Sequence, residues 1–288
     1  MAEAQAAPAE PGPFERDTAV SLLEREGERA RFGARVGDGW RAGRGPHGGY
    51  LAAMLLRALI ETVADDRRAP RSLTIHYARA PAPGPVEIST LIERAGRSLS
   101  TLSARMEQDG RLMALVLAAF SVPWRAAEVD DLPMPDVEGP DVERRPGTGL
   151  QFGAPPFTKH LVLQPRFQAP PSPPLSGERR AMELGAWVGL AEPRPTDALS
   201  VAFFTDALIP TPFMATGEPS AAPTIDLTIH FRRALPRPQD RAPNQLCYAQ
   251  MSSKLLHEGF FEEDGVVWAA DGTVLAQSRQ LALLMPVG

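Results

Sequence analysis

The segment LTIHY at residues 73–77 occurs again, with one residue changed, as LTIHF at residues 227–231. Each copy follows an apolar run with helical character. Further along, Asp109–Ala114 (DGRLMA) is matched by Asp271–Ala276 (DGTVLA). The first pair is separated by 154 residues and the second by 162, so two halves share one order of elements with a few inserted residues. A repeat this long indicates a duplicated domain, because solenoid repeats have periods of about 20–50 residues.

The composition is ordinary for a globular protein and argues against several classes of function. The 288 residues leave room for two domains, each large enough to bury its own core. The net charge of −5 and the absence of a Lys/Arg cluster argue against nucleic-acid binding. No apolar run approaches the roughly 20 residues that span a bilayer. The single cysteine, Cys247, excludes an internal disulfide and a cysteine-rich metal site. We therefore predict a cytoplasmic protein without nucleic-acid or membrane partners.

Helical and strand patterns follow in the same order in both halves. The first half is predicted to hold a short helix at residues 17–30. A longer helix is opened by Gly45–Tyr50 and runs to about Ala64. Its residues 50–56 are apolar on every side and are therefore expected to be buried, while its far end from Arg57 turns polar. Strands with period-2 alternation follow, the last two joined by an Asp-Gly hairpin turn. The second half has a mostly apolar helix predicted at 197–209 and strands from residues 224 to 284.

A long buried helix followed by a twisted antiparallel sheet, occurring twice, is the layout of a double hotdog fold in the α+β class. Pairing of the edge strands of the two halves would give one continuous sheet and hide edges that otherwise invite aggregation. We predict a disordered tail at 1–13, a first hotdog domain at 14–125, a proline- and acid-rich linker at 126–149 and a second hotdog domain at 150–288.

Three polar residues distinguish the second half from the first. Asp206 lies in an apolar helix, where a carboxylate is costly to bury unless it is hydrogen-bonded. Thr224 begins a strand whose alternation predicts that it faces away from Leu227. Gln280 shares a face with small residues, and its repeat counterpart is Ala118. Such divergence is expected of a duplicated enzyme that keeps one of two sites, although neutral drift of surface residues could imitate it.

The first half offers the sequence His47-Gly48-Gly49 at the start of its long helix. A helix N-terminus presents free N–H groups and a partial positive charge, which suit an anion or a polarised carbonyl. Glycines allow a ligand or a neighbouring backbone to approach closely, and tight packing is an equally good reason for them. No second ligand stands at a zinc-site spacing from His47, so no metal is predicted.

Three stretches carry a resemblance to a known family. They are GPHGGY at residues 45–50, PTIDLTIHF at 223–231 and the closing segment at 259–282. Together they resemble the acyl-CoA thioesterase II family of TesB-like, double-hotdog thioesterases, and the likeness extends over about residues 14 to 285. That family uses an Asp, a Thr or Ser and a Gln to position a water that hydrolyses the acyl-CoA thioester. By motif position these correspond to Asp206, Thr224 and Gln280.

The resemblance implies an acyl-CoA substrate, hydrolysis of its thioester and no cofactor. Asp206 would take a proton from the attacking water while Thr224 and Gln280 fix the water's position. Helix N–H groups near Gly48-Gly49 would hold the developing oxyanion. An apolar tunnel between helix and sheet would take the acyl chain. The residues assigned to substrate binding are His47, Gly48, Gly49, Tyr50, Met54, Phe203 and Phe204.

Two other functions stay open at this point. A hotdog enoyl-CoA hydratase or dehydratase would use His47 with Asp206 for proton transfer at carbon. A non-catalytic acyl-CoA-binding protein would result if the short proline-rich loop at residues 210–223 closed the site. Association of two such chains into a homo-oligomer is compatible with either. The sequence leaves the length and type of the acyl chain open.

Overall fold

The computed structural model describes residues 11–141, 143, 154–166, 181–192, 194–216, 220–243 and 245–286. The predicted tail at 1–13 lies mostly outside these residues, and within it Pro13 already begins a helix. Part of the predicted linker and of the loop at 210–223 also lies outside them. The three α-helices of the described chain are α1 (Pro13–Asp17), α2 (Gly48–Val63) and α3 (Ala198–Phe204).

Twelve strands form the main sheet, and Leu256–His257 adds a short thirteenth at its side. In the first half they are β1 (Val20–Glu26), β2 (Arg29–Val36), β3 (Ala69–Tyr77), β4 (Gly84–Ala95), β5 (Leu99–Gln108) and β6 (Arg111–Ser121). In the second half they are β7 (Leu161–Pro165), β8 (Glu183–Leu190), β9 (Thr224–Phe231), β10 (Cys247–Ser252), β11 (Phe260–Ala269) and β12 (Val274–Leu283).

The sheet runs in the order β1-β2-β4-β5-β6-β3-β9-β12-β11-β10-β8-β7, and its pairings are antiparallel. From the central pair outward, the first half reads 3-6-5-4-2-1 and the second reads 9-12-11-10-8-7. Each strand of one half therefore has a counterpart at the same position in the other. This arrangement confirms the α+β double hotdog fold.

The two halves meet where the repeated segments pair with each other. Thr74 in β3 lies directly opposite Thr228 in β9, and their hydroxyl oxygens are 3.2 Å apart. The flanking Leu73 and Ile229 are also paired, and both are fully buried on the helix side of the sheet. The central pair therefore joins the two sheets by backbone hydrogen bonds and by apolar burial, and neither strand remains an open edge.

Helix α2 lies in the centre of the core and packs against α3 from the other half. It begins because the His47 side chain caps it, with Nδ1 accepting a hydrogen bond from the backbone N–H of Tyr50. It ends where Ala64 adopts the left-handed conformation, with a φ of 47°. Residues 50–56 are all buried, as an apolar surface on all sides predicts, whereas Ile60 and Glu61 near the end of the helix are exposed.

Two helix predictions need correction. Residues 17–30 are not a helix, because α1 ends at Asp17 and the hairpin of β1 and β2 follows. The hairpin turns at Gly27, whose φ of 55° suits glycine, and pairing at the sheet edge outweighs the local helical pattern. The second helix spans only Ala198–Phe204, shorter than the predicted 197–209. Its N-terminus is closed by a capping box of Asp197 and Ser200.

The segment that follows β6 crosses the second half of the sheet. As far as it is described, residues 122–141 contain no helix or strand. The indole N–H of Trp268 donates to the carbonyl of Leu132, and that of Trp187 donates to the carbonyl of Glu138. Leu132 also packs on a satellite core of these two tryptophans. The predicted linker is therefore held to the sheet by specific contacts. The domain boundaries themselves stay predictions.

Candidate active site

Asp206 lies in the turn after α3, two residues beyond the end of that helix, and reaches the N-terminus of α2 in the other half. Its Oδ2 accepts a hydrogen bond of 2.8 Å from the backbone N–H of Gly49. The carboxylate thus occupies the position that a helix N-terminus favours for negative charge. The predicted acid and the predicted Gly-Gly motif are brought into direct contact.

The contact requires glycine at both positions of the motif. A Cβ at Gly49 would lie 2.7 Å from the carbonyl oxygen of Phe203 and 3.1 Å from the Cβ of Asp206. A Cβ at Gly48 would lie 2.8 Å from Asp206 Oδ2. These separations are shorter than the van der Waals contact distance of a methyl carbon from an oxygen or another carbon atom. The Gly-Gly pair therefore serves the approach of Asp206 and α3 to the start of α2.

Burial raises the pKa of Asp206 to about 6, and the hydrogen bond from Gly49 opposes part of that rise. The side chain is 14% exposed. A carboxyl group with this pKa is mostly ionised at neutral pH and is more basic than an ordinary aspartate. It can therefore accept a proton from water more readily than a surface carboxylate can.

His47 is held as a neutral imidazole beside this carboxylate. Burial lowers the pKa of His47 to about 3. Its Nδ1 accepts the N–H of Tyr50 and lies 3.6 Å from Asp206 Oδ2, so it has no proton to share with the carboxylate. The ring packs against Phe157 and Phe203. This environment disfavours the acid–base role that a hydratase would ask of His47.

Thr224 and Gln280 lie on neighbouring strands and contact each other. The Thr224 hydroxyl donates to Gln280 Oε1 at 2.9 Å. The predicted facing of Thr224 is wrong, because a β-bulge interrupts the pairing of β9 with β12 between Thr224 and Asp226. Gln280 pairs with Leu227 across the two strands, so their side chains share one face of the sheet. The extra residue of the bulge places Thr224 on that same face.

Glu263 on β11 is a buried acid that the sequence patterns did not single out. Its Oε1 accepts a hydrogen bond of 2.7 Å from Gln280 Nε2, and its Oε2 accepts one of 2.8 Å from the backbone N–H of Thr211. Burial raises the pKa of Glu263, and the negative charge of Asp206 adds to that rise. Asp206 and Glu263 are therefore close enough to influence each other electrostatically.

The three predicted catalytic residues thus converge in part. Thr224 and Gln280 are directly hydrogen-bonded, and Glu263 connects Gln280 to the loop that follows Asp206. Among the described residues no hydrogen bond joins Asp206 to Thr224 or to Gln280. The site therefore has two parts. One is the Asp206 carboxylate with its raised pKa, and the other is the hydrogen-bonded chain of Thr224, Gln280 and Glu263.

The residues predicted for substrate binding fall into two groups. His47, Gly48 and Gly49 border Asp206. Tyr50, Met54, Phe203 and Phe204 are at most 1% exposed and belong to the core. The hydroxyl of Tyr50 accepts from the backbone N–H of Gly37 and donates to the carbonyl of Asp17.

Tyr77 is a second residue that sequence reasoning missed. Its hydroxyl donates to the Gly48 carbonyl at 2.9 Å, and burial together with the charge of Asp206 raises its pKa. The signal that could have found it is the comparison of the two halves. Tyr77 corresponds to Phe231 in the repeat, and Glu263, which pairs with Gln280, corresponds to Leu102, which pairs with Ala118. Each is a polar difference of the kind that singled out Gln280.

The described part of the chain lacks two structural features. No group of three or more His, Cys, Asp or Glu side chains is arranged to hold a metal ion. In the same residues, no helix is long and apolar enough to cross a bilayer.

The fold and the site define a double hotdog protein with a polar centre where the second half meets the first helix of the core. Comparison with protein families is consistent across both halves. Residues 36–121 match the acyl-CoA thioesterase N-terminal domain, and residues 129–284 match the acyl-CoA thioesterase C-terminal domain. The chain belongs to this family as a TesB-like double-hotdog thioesterase.

Proteins similar to this chain in sequence or in structure match it over nearly its whole length. An uncharacterised protein of Mycobacterium tuberculosis, Rv0499, is 24% identical over 93% of this chain and 97% of its own length. A conserved protein of unknown function with a hot dog fold from Alicyclobacillus acidocaldarius superimposes with a TM-score of 0.82 at 22% identity, over 96% of this chain and 100% of that one. Acyl-CoA thioesterase II TesB2 from Mycobacterium marinum gives a TM-score of 0.70 at 19% identity, over 96% and 99%.

Proposed function

We propose that this chain hydrolyses acyl-CoA thioesters and that Asp206 is the proton acceptor of the reaction. The observation that carries the proposal is the buried carboxylate at the N-terminus of α2, with a pKa of about 6, together with the Thr224–Gln280 pair, which Glu263 connects to the loop after Asp206. Its Oδ2 is occupied by the N–H of Gly49. The other oxygen is therefore the one assigned to the attacking water.

In the proposed reaction, Asp206 draws a proton from a water as the water oxygen attacks the thioester carbonyl carbon. Thr224 accepts a hydrogen bond from the same water, and the N–H of Gln280 that Glu263 does not use donates to the water oxygen. The tetrahedral intermediate then expels the CoA thiolate. The proton held by Asp206 passes to that sulfur, which restores the carboxylate and releases a free acid and a thiol. Such proton transfer typically contributes about 10²–10⁴-fold to the rate.

The developing oxyanion needs a donor, and we assign this role to the backbone N–H of Gly48. It belongs to the first residue of α2, so it has no partner within the helix, and no other described group accepts it. The N–H of Gly49 is already used by Asp206. One oxyanion donor is worth about 3–4 kcal/mol in comparable sites.

The acyl chain is proposed to lie between α2 and the sheet, beside Met54, Phe203 and Phe204. Because these side chains are fully packed, binding of a long chain requires them to move apart. The preferred chain length would then depend on how far this part of the core can open.

Thiol release from a panel of acyl-CoAs tests the function, and the Asp206→Asn variant tests the assignment. We expect the wild-type protein to release thiol and the variant to lose about 10²–10⁴-fold in kcat while it stays folded. Asp264→Asn, which removes an exposed carboxylate paired with Arg279, is the matched control and should retain full activity. Full turnover in Asp206→Asn would refute its role.

The same panel separates the alternatives. With crotonyl-CoA, loss of enoyl absorbance without free thiol would indicate hydration instead of hydrolysis. Measurable binding of acyl-CoA without thiol release over a day would indicate a non-catalytic acyl-CoA-binding protein.

A further inference from the structure

Glu263 is placed where an acid is not required by the fold. It is 4% exposed on the inner face of β11, opposite Gln280, and the equivalent strand position of the first half, opposite Ala118, is occupied by the buried Leu102. Burial of a carboxylate is unfavourable unless donors surround it. Among the described residues no Lys, Arg or His lies within ion-pair distance of Glu263. Its burial is compensated by N–H donors.

The two oxygens of Glu263 hold two separate parts of the site. Oε1 accepts from Gln280 Nε2 on β12, and Oε2 accepts from the backbone N–H of Thr211. Thr211 lies five residues after Asp206, in the loop that leaves the Asp206 turn. The carboxylate therefore joins the segment that carries the proposed base to the strand that carries the proposed amide.

An ionised carboxylate can only accept hydrogen bonds, and this determines which way the Gln280 amide turns. Its NH₂ group must face Glu263, so its Oε1 faces Thr224. The Thr224 hydroxyl hydrogen is then used by Gln280, and the lone pairs of that hydroxyl stay available to a water. With the amide reversed, Thr224 would have to accept from the amide instead and could no longer receive the water in the same way.

We propose that Glu263 is a positioning residue of the thioesterase site, which orients the Gln280 amide and ties the Asp206 loop to β12. This inference rests on the proposed function. The Glu263→Gln variant keeps the shape but replaces one acceptor with a donor, so it cannot accept from both Gln280 and Thr211. We expect kcat to fall about 10–100-fold with little change in KM, the effect of one hydrogen bond to a charged group.

Glu262→Gln is the matched control. Glu262 is the preceding residue of the same strand, and its carboxylate also accepts two hydrogen bonds, from the backbone N–H groups of Lys254 and Leu255. Neither bond connects to Gln280. Its kcat should stay within about twofold of wild type, since surface contacts of this kind have small effects. A wild-type kcat in Glu263→Gln would overturn the proposal.

A double variant separates positioning from a general weakening of the fold. If Glu263 acts through Gln280, Glu263→Gln should lower kcat much less in a Gln280→Ala background than in wild type. An equal fold-loss in both backgrounds would mean that Glu263 only supports the structure, and would overturn the proposal.

The side-chain amide signal of Gln280, observed by NMR in glutamine-labelled protein and assigned by its loss in Gln280→Ala, needs no turnover. It should shift in Glu263→Gln and stay in place in Glu262→Gln. An unchanged signal in Glu263→Gln would refute the positioning role. If the signal shifts in Glu263→Gln but the wild-type protein releases no thiol, the thioesterase function is refuted while the contact between Glu263 and Gln280 stands.

Discussion

Replacing Asp206 by Asn should stabilise the folded protein at neutral pH while it removes activity. Asn has the same shape, and its amide oxygen can still accept the N–H of Gly49. The main change is the loss of a negative charge that the folded protein holds in a largely buried place. Functional residues kept at the expense of stability are expected at active sites.

The magnitude follows from the pKa of Asp206, which burial raises from 3.8 to about 6. Each pKa unit corresponds to about 1.4 kcal/mol, so ionisation in the folded state lowers the free energy of unfolding by up to about 3 kcal/mol. Stability depends on pH here because the pKa of Asp206 is higher in the folded protein than in the unfolded chain. Below about pH 4 the Asp206 carboxyl is protonated in the folded protein, and its contribution to the free energy of unfolding is fully present. That contribution is lost as the pH rises through about 6.

Urea unfolding of both proteins at pH 4.5 and pH 7.5 measures this effect. We expect Asp206→Asn to exceed wild type by up to about 3 kcal/mol at pH 7.5 and by much less at pH 4.5, where the wild-type carboxyl is already protonated. In thermal unfolding, a gain of this size raises Tm by about 5–10 °C for a chain of this length. Asp66→Asn, at an exposed aspartate, should give no comparable pH-dependent gain.

Equal stability differences at the two pH values would refute the reasoning. They would mean that Asp206 ionises in the folded protein as easily as in the unfolded chain. The argument that its burial makes it an effective proton acceptor would then lose its physical basis.

Two further outcomes are expected from the same site. Since Asp206 must be ionised to accept a proton, kcat/KM for a saturated acyl-CoA should fall about tenfold per pH unit below about 6, and a flat profile from pH 4.5 to 8 would contradict its role. Gly49→Ala should lose activity and about 1–3 kcal/mol of stability, because its Cβ would lie 2.7 Å from the Phe203 carbonyl oxygen. Gly139→Ala, where a Cβ meets nothing within 4 Å, is the control, and equal unfolding midpoints for the two variants would refute the steric argument.

Much of the fold could be predicted from the chain because its decisive signals are local or repeated. The recurrence of Leu73–Tyr77 as Leu227–Phe231 indicated a duplication, and these two segments form the central strand pair. The apolar run at residues 50–56 predicted a helical segment buried on every side, and all of these residues are buried in α2. Residues 17–30 show the opposite case, since a locally helical pattern forms an edge hairpin when a neighbouring strand is available.

The candidate site could be predicted only in outline. Asymmetry between the halves singled out Asp206, Thr224 and Gln280, but alternation assigned Thr224 to the wrong face because a bulge has no local pattern of its own. Glu263 escaped notice because an acid in a strand is ordinary until its burial is known. The same comparison of halves would have found it.

The sequence by itself determined the duplication, the two core helices with the strands that follow them, and the identity of the polar residues that differ between the halves. These features depend on periodicity and on side-chain chemistry, which are readable along one dimension. Only the tertiary structure decided that Asp206 reaches the N–H of Gly49 from the opposite half, and that Glu263 holds the Gln280 amide. Contacts between residues so distant in the chain depend on how α2, α3 and the sheet pack, and burial then sets the pKa of the carboxylates they enclose.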